Sequence, residues 1–294
     1  MSFRGLEVAG LRMAIEVPDA LPWEWPDGPL LRFASTPEDA DVRVRVAVRD
    51  RLEAPPRAAL AYDSEGGIFD VARVDDGWVF SLAVRGELLR VARFDAEFQN
   101  GVVEVAADSF YVREVLYPLA YPLDELIYLH RLARCGGLLL HACGVARGER
   151  ARLYTGRSGA GKTTVARLEL GRGDCEVLSD DRIVLWKRPD SGFEVCGTPW
   201  HGDAPLASRR RVRLASIHAI HQAGSLEAAP LAGAAAAAAV LGNAFLPAHD
   251  PIAAARTLDL VDELVREVPI GDLHFPKAPS VVPYAWRQPA AASA

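Results

Sequence analysis

Lysine is scarce in this chain of 294 residues. Lysine and arginine together number 33, yet only Lys162, Lys187 and Lys277 are lysines. Because arginine is the default cation here, a compact lysine charge inside a recognisable motif supports that motif. One of three lysines can also occur in a motif by chance. The residues around it must therefore show whether the motif is genuine.

Cysteine is infrequent as well, and its spacing argues against a thiolate metal centre. The chain has no C-x-x-C pair and no histidine at zinc-ligand spacing from a cysteine. We expect the four cysteines to be small buried apolar side chains with reduced thiols. They are Cys135, Cys143, Cys175 and Cys196.

The chain has neither a strong net charge nor a long apolar run. A formal net charge of −6 gives no global electrostatic reason to expect nucleic acid or an anionic membrane as partner. The most apolar stretch, 231–246, is short and contains Gly242 and Asn243, so it does not predict a membrane span. The first residues include Arg4 and Glu7 and lack the apolar segment of a signal peptide. We therefore expect a cytoplasmic protein with no nucleic-acid or membrane partner.

Residues 156–163 read G-R-S-G-A-G-K-T, a complete G-x-x-x-x-G-K-[ST] phosphate-binding loop. Such a loop directs backbone N–H groups at phosphate oxygens, its lysine reaches the β- and γ-phosphates, and its final hydroxyl binds Mg²⁺. A strand pattern over 151–155 and helical spacing over 163–170 give the context that the motif requires. We predict that the chain binds a nucleoside triphosphate with Mg²⁺. The expected binding residues are Gly156, Ser158, Gly159, Ala160, Gly161, Lys162, Thr163 and Thr164, with Thr163 also a metal ligand.

The element pattern predicts an α/β (α+β) chain with a smaller β-rich N-terminal domain over 1–120. Valines that alternate with polar residues over 42–48 predict a strand with one buried face. The segments 68–74 and 78–84 flank a D-D-G turn and predict a hairpin, and 88–94 and 101–106 continue it as a meander.

The second predicted domain, 121–287, mixes helices with strands. An amphipathic helix between Pro122 and Gly136 opens it, and further helices are predicted near 231–246 and 252–266. Strands are predicted over 138–145, 151–155, 175–178, 183–186, 193–196 and 268–275. Residues 288–294 are expected to be a frayed tail.

A pair of carboxylates follows the loop closely. The apolar segment 177–178 and Ser179 lead directly to Asp180 and Asp181. Phosphoryl transfer to a hydroxyl needs one carboxylate to hold Mg²⁺ and another to orient the hydroxyl and accept its proton. Two adjacent aspartates at a strand end can serve both roles, although Asp-Asp is also common in turns.

The order and spacing of these motifs resemble the catalytic domain of the HPr serine kinase/phosphorylase family. The residues that carry the resemblance are Leu140-His141, Gly144-Val145, the loop at 156–163, and S-D-D-R-I-V at 179–184. The resemblance implies a P-loop HPr-kinase-like catalytic domain that uses ATP. It also implies Asp180 as base toward a serine hydroxyl, Asp181 as metal ligand, and His141 close to the base as a third catalytic residue. HPr kinases form oligomers, so an oligomer is possible, although the N-terminal region does not visibly match theirs.

Three departures are typical of divergent HPr-kinase-like proteins. The loop ends K-T-T where HPr kinases usually have K-S-E, and Ala142 and Cys143 separate His141 from Gly144. In place of their Gly-rich segment stands 197–203, G-T-P-W-H-G-D. Some divergent relatives phosphorylate a serine of a ribosomally made peptide, and others a small metabolite.

The segment 197–203 is a possible substrate loop. Trp200 could cover an acceptor, and His201 or Asp203 could contact it, but an exposed turn with a packed tryptophan is an equally good reading. The arginine-rich run at 208–213 could contact phosphates or an acidic acceptor, and a solvated face is the better reading of it.

These patterns leave three functions open. The first is an ATP- and Mg²⁺-dependent P-loop serine kinase acting on a serine or threonine hydroxyl of a peptide or small protein. The second is a kinase of a small hydroxyl metabolite. The third is a nucleotide-binding regulatory module without transfer activity, which the presence of both aspartates and Lys162 argues against.

Overall fold

The computed structural model of the chain describes residues 1–21, 23–64, 67–107, 117–171, 173–202 and 204–276. Helices and mixed sheets are both present, so the chain is α/β as expected. It divides into two units, Met1–Arg131 and Leu132–Ala294. The division falls inside a helix that directly follows the boundary expected at 120–121. The expected tail at 288–294 lies outside the described residues.

The first unit contains a nine-stranded sheet in the order β3-β1-β2-β4-β9-β8-β7-β6-β5. Its strands are β1 Ser2–Val8, β2 Leu11–Val17, β3 Ala34–Ser35, β4 Val42–Arg49, β5 Leu60–Tyr62, β6 Phe69–Val74, β7 Gly77–Val84, β8 Glu87–Phe94 and β9 Asn100–Ala106, with 3-10 helices at Pro29–Phe33 and Arg57–Ala59. In β4, Val42, Val44 and Val46 are buried while Arg43 and Arg45 are exposed, which confirms the predicted alternation over 42–46. Val48, near the strand end, is exposed and departs from it. The predicted hairpin is β6 and β7, paired antiparallel up to Val74 and Gly77.

Helix α1, Leu123–Arg134, confirms the amphipathic helix predicted after Pro122. Its side chains Leu123, Leu126, Ile127 and His130 are buried, as the helical spacing predicts. His130 stacks on Phe98 with ring centroids 4.6 Å apart. It is a packed core histidine.

The second unit places helices on both faces of an eight-stranded sheet. Its elements are β10 Gly137–Arg147, β11 Arg150–Thr155, α2 Lys162–Leu170, β12 Glu176–Ser179, β13 Arg182–Arg188, β14 Gly192–Gly197, β15 Arg211–Gln222, β16 Glu227–Leu231, α3 Gly233–Leu241, α4 Pro251–Glu267 and β17 Ile270–Phe275. Strand β10 shows why two layers of helices are needed. Its Leu138 and Leu140 join the core under α3 and α4, whereas Cys143 and Val145 join the core under α2.

The paired strands of this sheet form a closed ring, because β11 pairs with both β10 and β15. The order runs β11-β10-β13-β14-β15-β17-β16, β12 pairs with β10, and β11 also pairs with β15. The β11–β15 pairing is parallel, as is β15–β17. The carboxyl ends of β11, β15 and β17 therefore lie at one edge of the sheet, which is where α/β proteins bind ligands.

Two details of this unit differ from the sequence predictions, and a third agrees with them. The helix predicted over 231–246 is the shorter α3, because β16 ends at Leu231, Ala232 is extended and Gly242 ends the helix. Strand β15 is not predicted by the sequence pattern, because its arginine-rich start resembles a charged surface segment. Arg209, Arg211 and Arg213 of that run are exposed, as expected of a solvated face.

The cysteine prediction is correct for two of four residues. None of the four forms a disulfide with another cysteine of the described residues, and Cys143 and Cys196 are buried. Cys135 is exposed, contrary to the prediction, and Cys175 is only half-buried, although it packs against the core under α2. Within the described ranges, no helix combines the length and apolarity needed to cross a membrane.

A buried ion pair fixes the start of α4. Arg134 and Asp250 lie 2.5 Å apart, and Asp250 also accepts a hydrogen bond from the backbone of Ala253 at 3.2 Å. We expect Asp250→Ala to lower the free energy of unfolding in urea by about 3–5 kcal/mol, because a buried arginine loses its counter-charge and the helix loses its cap. Asp262→Ala, which removes an exposed pair with Arg266 on the same helix, should change it by less than about 1 kcal/mol. Equal losses in the two variants would contradict the assignment.

Candidate functional site

The predicted phosphate loop is held between two rigid elements. β11 ends at Thr155, and α2 begins at Lys162. β11 is paired on both sides, with β10 and with β15. The buried hydroxyl of Tyr154 donates to a carboxylate oxygen of Glu169 at 2.8 Å, which ties α2 to the strand. The loop therefore starts and ends at fixed positions.

Two loop residues need to be glycine. Gly159 has φ 80° and Gly161 has φ 110°, in the left-handed region that favours glycine. A Cβ on Gly161 would also lie 3.0 Å from the ring of Phe275. The backbone of the loop is thus free of side chains at the points where a phosphate would approach it.

Lys162 folds back over the loop. Its ammonium nitrogen donates to the carbonyl oxygen of Gly156 at 2.9 Å and lies 3.4 Å from that of Arg157. The residue is only 7% exposed, and this burial is the main reason that the pKa of Lys162 lies below its ordinary value. A bound anion would stabilise the charged form, so the lysine is placed to gain from binding phosphate.

Asp181 contacts His141 and Arg182. His141 Nε2 lies 2.8 Å from Asp181 Oδ1, and the guanidinium of Arg182 pairs with the other carboxylate oxygen. The cause is strand register, because His141 on β10 stands opposite Arg182 on β13. The resemblance implies that His141 lies close to the base, Asp180. Both residues line the cavity described below, and the carboxylate that His141 contacts is that of Asp181.

Asp180 holds a different segment of the chain. Asp180 is only 2% exposed. Its carboxylate oxygens accept hydrogen bonds from the backbone N–H groups of Gly202 at 2.9 Å and Ala204 at 3.0 Å. A Cβ on Gly202 would lie 3.2 Å from this carboxylate. Adjacent aspartates therefore face different partners, one a histidine and an arginine, the other backbone amides. The sequence carried no signal for this second contact.

The predicted substrate loop is only partly at the site. Trp200 is 7% exposed, which agrees with the packed-tryptophan reading and not with a ring that covers an acceptor. His201 is exposed, and its Nδ1 lies 2.8 Å from the carbonyl oxygen of Gly202. Asp203 lies outside the described residues. Of the residues described in this segment, Gly202 lines the cavity described next, and Trp200 and His201 do not.

One cavity of about 330 Å³ brings the predicted loop and catalytic residues together. Its lining includes the loop, both aspartates and the histidine. These residues are His141, Ser158, Gly159, Gly161, Lys162, Thr163, Thr164, Asp180, Asp181, Gly202 and Gln222. Gly156 and Ala160, the other predicted nucleotide ligands, line a second cavity of about 790 Å³, together with Ser158 and Gly159.

Gln222 is a site residue that sequence reasoning missed. It ends β15, and its side-chain amide donates to the carbonyl oxygen of Gly159 at 2.6 Å. It lines both cavities. Only recognition of β15 as the parallel neighbour of β11 could have indicated it.

No family model matches the chain, and no match was found among curated proteins. A functional assignment therefore depends on the geometry of the site. The cavity combines a lysine cation, the N-terminus of a helix, a hydroxyl and two carboxylates. Anions are stabilised at helix N-termini and by lysine, and Mg²⁺ prefers oxygen ligands. The residues present thus fit a phosphorylated ligand with Mg²⁺.

Proposed function

We propose that this chain is an ATP- and Mg²⁺-dependent kinase that phosphorylates a serine or threonine hydroxyl of a peptide or small protein. The observation that supports it is the single cavity that contains Lys162, Thr163, Asp180 and Asp181. The proposal includes an HPr-kinase-like catalytic domain in the second unit. A phosphate loop alone is compatible with many nucleotide-binding functions, and the aspartate pair favours transfer to a hydroxyl.

The loop would bind the phosphates of ATP. Its backbone N–H groups and Lys162 would hold the β- and γ-phosphates, and the buried lysine would gain a counter-charge there. The Thr163 hydroxyl and the Asp181 carboxylate would hold Mg²⁺, which neutralises charge on the transferring phosphoryl group. His141 and Arg182 orient Asp181 through the contacts described above.

Asp180 is the proposed base. Each carboxylate oxygen has two lone pairs, so the bonds from Gly202 and Ala204 leave capacity for the acceptor's proton. The acceptor oxygen bonds to the γ-phosphorus as the bond from that phosphorus to the β,γ-bridging oxygen breaks. ADP leaves with the electron pair, and the proton of the hydroxyl passes to Asp180.

The proposal is tested with ATP labelled in its γ-phosphate. The protein is incubated with the peptide fraction and, separately, the metabolite fraction of an extract of its host, with Asp180→Asn as matched control. We expect label in peptide, recovered as phosphoserine or phosphothreonine, and labelling at least about 100-fold slower with the variant. Label in a metabolite alone would replace the acceptor proposed here with the second one. Label released only as free phosphate would overturn transfer and favour the regulatory module.

A further inference from the structure

Three potential metal ligands stand together on two parallel strands. His221 is near the end of β15, and Asp272 and His274 are on β17. His221 pairs in register with His274, and Asp272 precedes His274 by two residues. Side chains two apart on a strand share a face, and directly paired residues of neighbouring strands are adjacent, so register brings all three to one face of the sheet.

The distances place these side chains around a common point. His221 Nε2 lies 2.7 Å from Asp272 Oδ1, and His274 Nε2 lies 3.0 Å from Asp272 Oδ2. The two imidazole rings are stacked with centroids 4.8 Å apart. One ligand atom from each residue can be chosen so that all lie within 4.8 Å of one another. The three side chains can therefore each direct one ligand atom at a shared ion.

The backbone that carries the ligands is fixed. β17 lies between β15 and β16 and is paired to both, and the buried Leu273 and Phe275 face the core on the opposite side of β17. The ligand side chains themselves remain accessible, with His221 53%, His274 44% and Asp272 29% exposed. Rigid strands with accessible ligands are the arrangement that a metal entering from solvent needs.

We propose that His221, Asp272 and His274 form a binding site for a first-row divalent transition metal, with Zn²⁺ as the simplest occupant. Two imidazoles and one carboxylate make a three-ligand set for such ions and leave at least one coordination position for water or another oxygen donor. His221 and Asp272 also line the cavity of about 790 Å³ beside the phosphate loop. The open position is thus available to an oxygen-bearing ligand in that cavity.

This site is chemically distinct from the Mg²⁺ ligands proposed above. Mg²⁺ is a hard ion that prefers oxygen and retains water, whereas imidazole nitrogens favour zinc, nickel, cobalt and copper. Thr163 and Asp181 line the other cavity. The proposal therefore goes beyond the kinase function, and either can fail without the other.

The test uses the untagged, metal-free full chain without nucleotide. Titration with Co²⁺, followed by its visible absorption, and with Zn²⁺, followed by calorimetry, is expected to show one site per chain. His221→Ala and His274→Gln should each weaken binding by about 100-fold or more, because even residues that only support a ligand are worth about 10–100-fold. His201→Ala removes an exposed histidine elsewhere in the same unit and should leave binding unchanged.

Unfolding curves of all variants establish that they remain folded. Absence of saturable one-to-one binding in the unmodified chain would overturn the site. The same holds for binding that survives both cluster substitutions, or that His201→Ala reduces equally. Lys162→Ala should still bind the metal, which separates this site from the phosphate loop.

Discussion

Replacing Lys162 by alanine is expected to lower kcat/KM for phosphoryl transfer by about 10³-fold or more. The lysine is the buried cation of the loop, with its ammonium group held at the carbonyl of Gly156. Without it, the triphosphate would lose the cation that the loop itself holds at the carbonyl of Gly156. Calorimetric titration with ATP and Mg²⁺ should also show a large loss of affinity. The expected effect is large because no other lysine lines this cavity among the described residues.

Lys187→Ala is the matched control. Lys187 belongs to the same unit and lies on the surface, where its ammonium group hydrogen-bonds to Glu267 and Glu263. These bonds raise the pKa of Lys187, the opposite direction to the shift at Lys162. Its removal should leave ATP binding and transfer within about twofold of the unmodified chain, since isolated surface pairs contribute little. Transfer by Lys162→Ala at near-normal rate, in a folded protein, would refute the role of the loop lysine.

Local patterns made the loop and its flanking elements predictable. The eight-residue motif determines its own backbone through glycines and the helix that begins at Lys162, so sequence alone was sufficient there. The alternating valines of β4 and the spacing of α1 were equally local signals. Asp180 and Asp181 were found because they follow an apolar strand end directly. In each case neighbours along the chain supply the information.

Contacts between distant segments were not predictable in this way. Strand β15 begins with arginines and continues as a segment buried on both faces, so it shows neither one clean period nor a turn signal. Because β15 is not predicted, the positions of His221 and Gln222 at its end are not predicted either. The bonds from Gly202 and Ala204 to Asp180 depend on where a later segment docks, and so does the pairing of His141 with Asp181. The sequence motifs indicate which residues belong to the site. Sheet register determines which side chain contacts which carboxylate.

Asparagine substitutions of the two aspartates should separate their roles. We expect Asp180→Asn and Asp181→Asn both to bind ATP, and Asp180→Asn to lose about 10²–10⁴-fold in transfer rate, the usual contribution of a general base. Asp181→Asn should instead raise the Mg²⁺ concentration needed for half-maximal rate and recover much of its kcat at high Mg²⁺. Rates measured across a Mg²⁺ series with a fixed acceptor distinguish the two. If Mg²⁺ rescues Asp180→Asn and not Asp181→Asn, the roles are exchanged.

Asp180→Asn also disturbs the hydrogen bonds from the backbone of Gly202 and Ala204 to this side chain. A second variant separates this structural effect from the loss of the base. An asparagine side chain keeps one acceptor oxygen, but its amide group would meet the N–H of Gly202 or Ala204 donor to donor. Gly202→Ala disturbs the same segment, since its Cβ would lie 3.2 Å from the carboxylate, yet it leaves the base intact. If Asp180 acts as base, Gly202→Ala should raise KM for the acceptor while kcat falls by less than about tenfold, far short of the loss expected for a missing base. An equal fall in kcat for both variants would make Asp180 a positioning residue and leave the base to be sought elsewhere in the cavity.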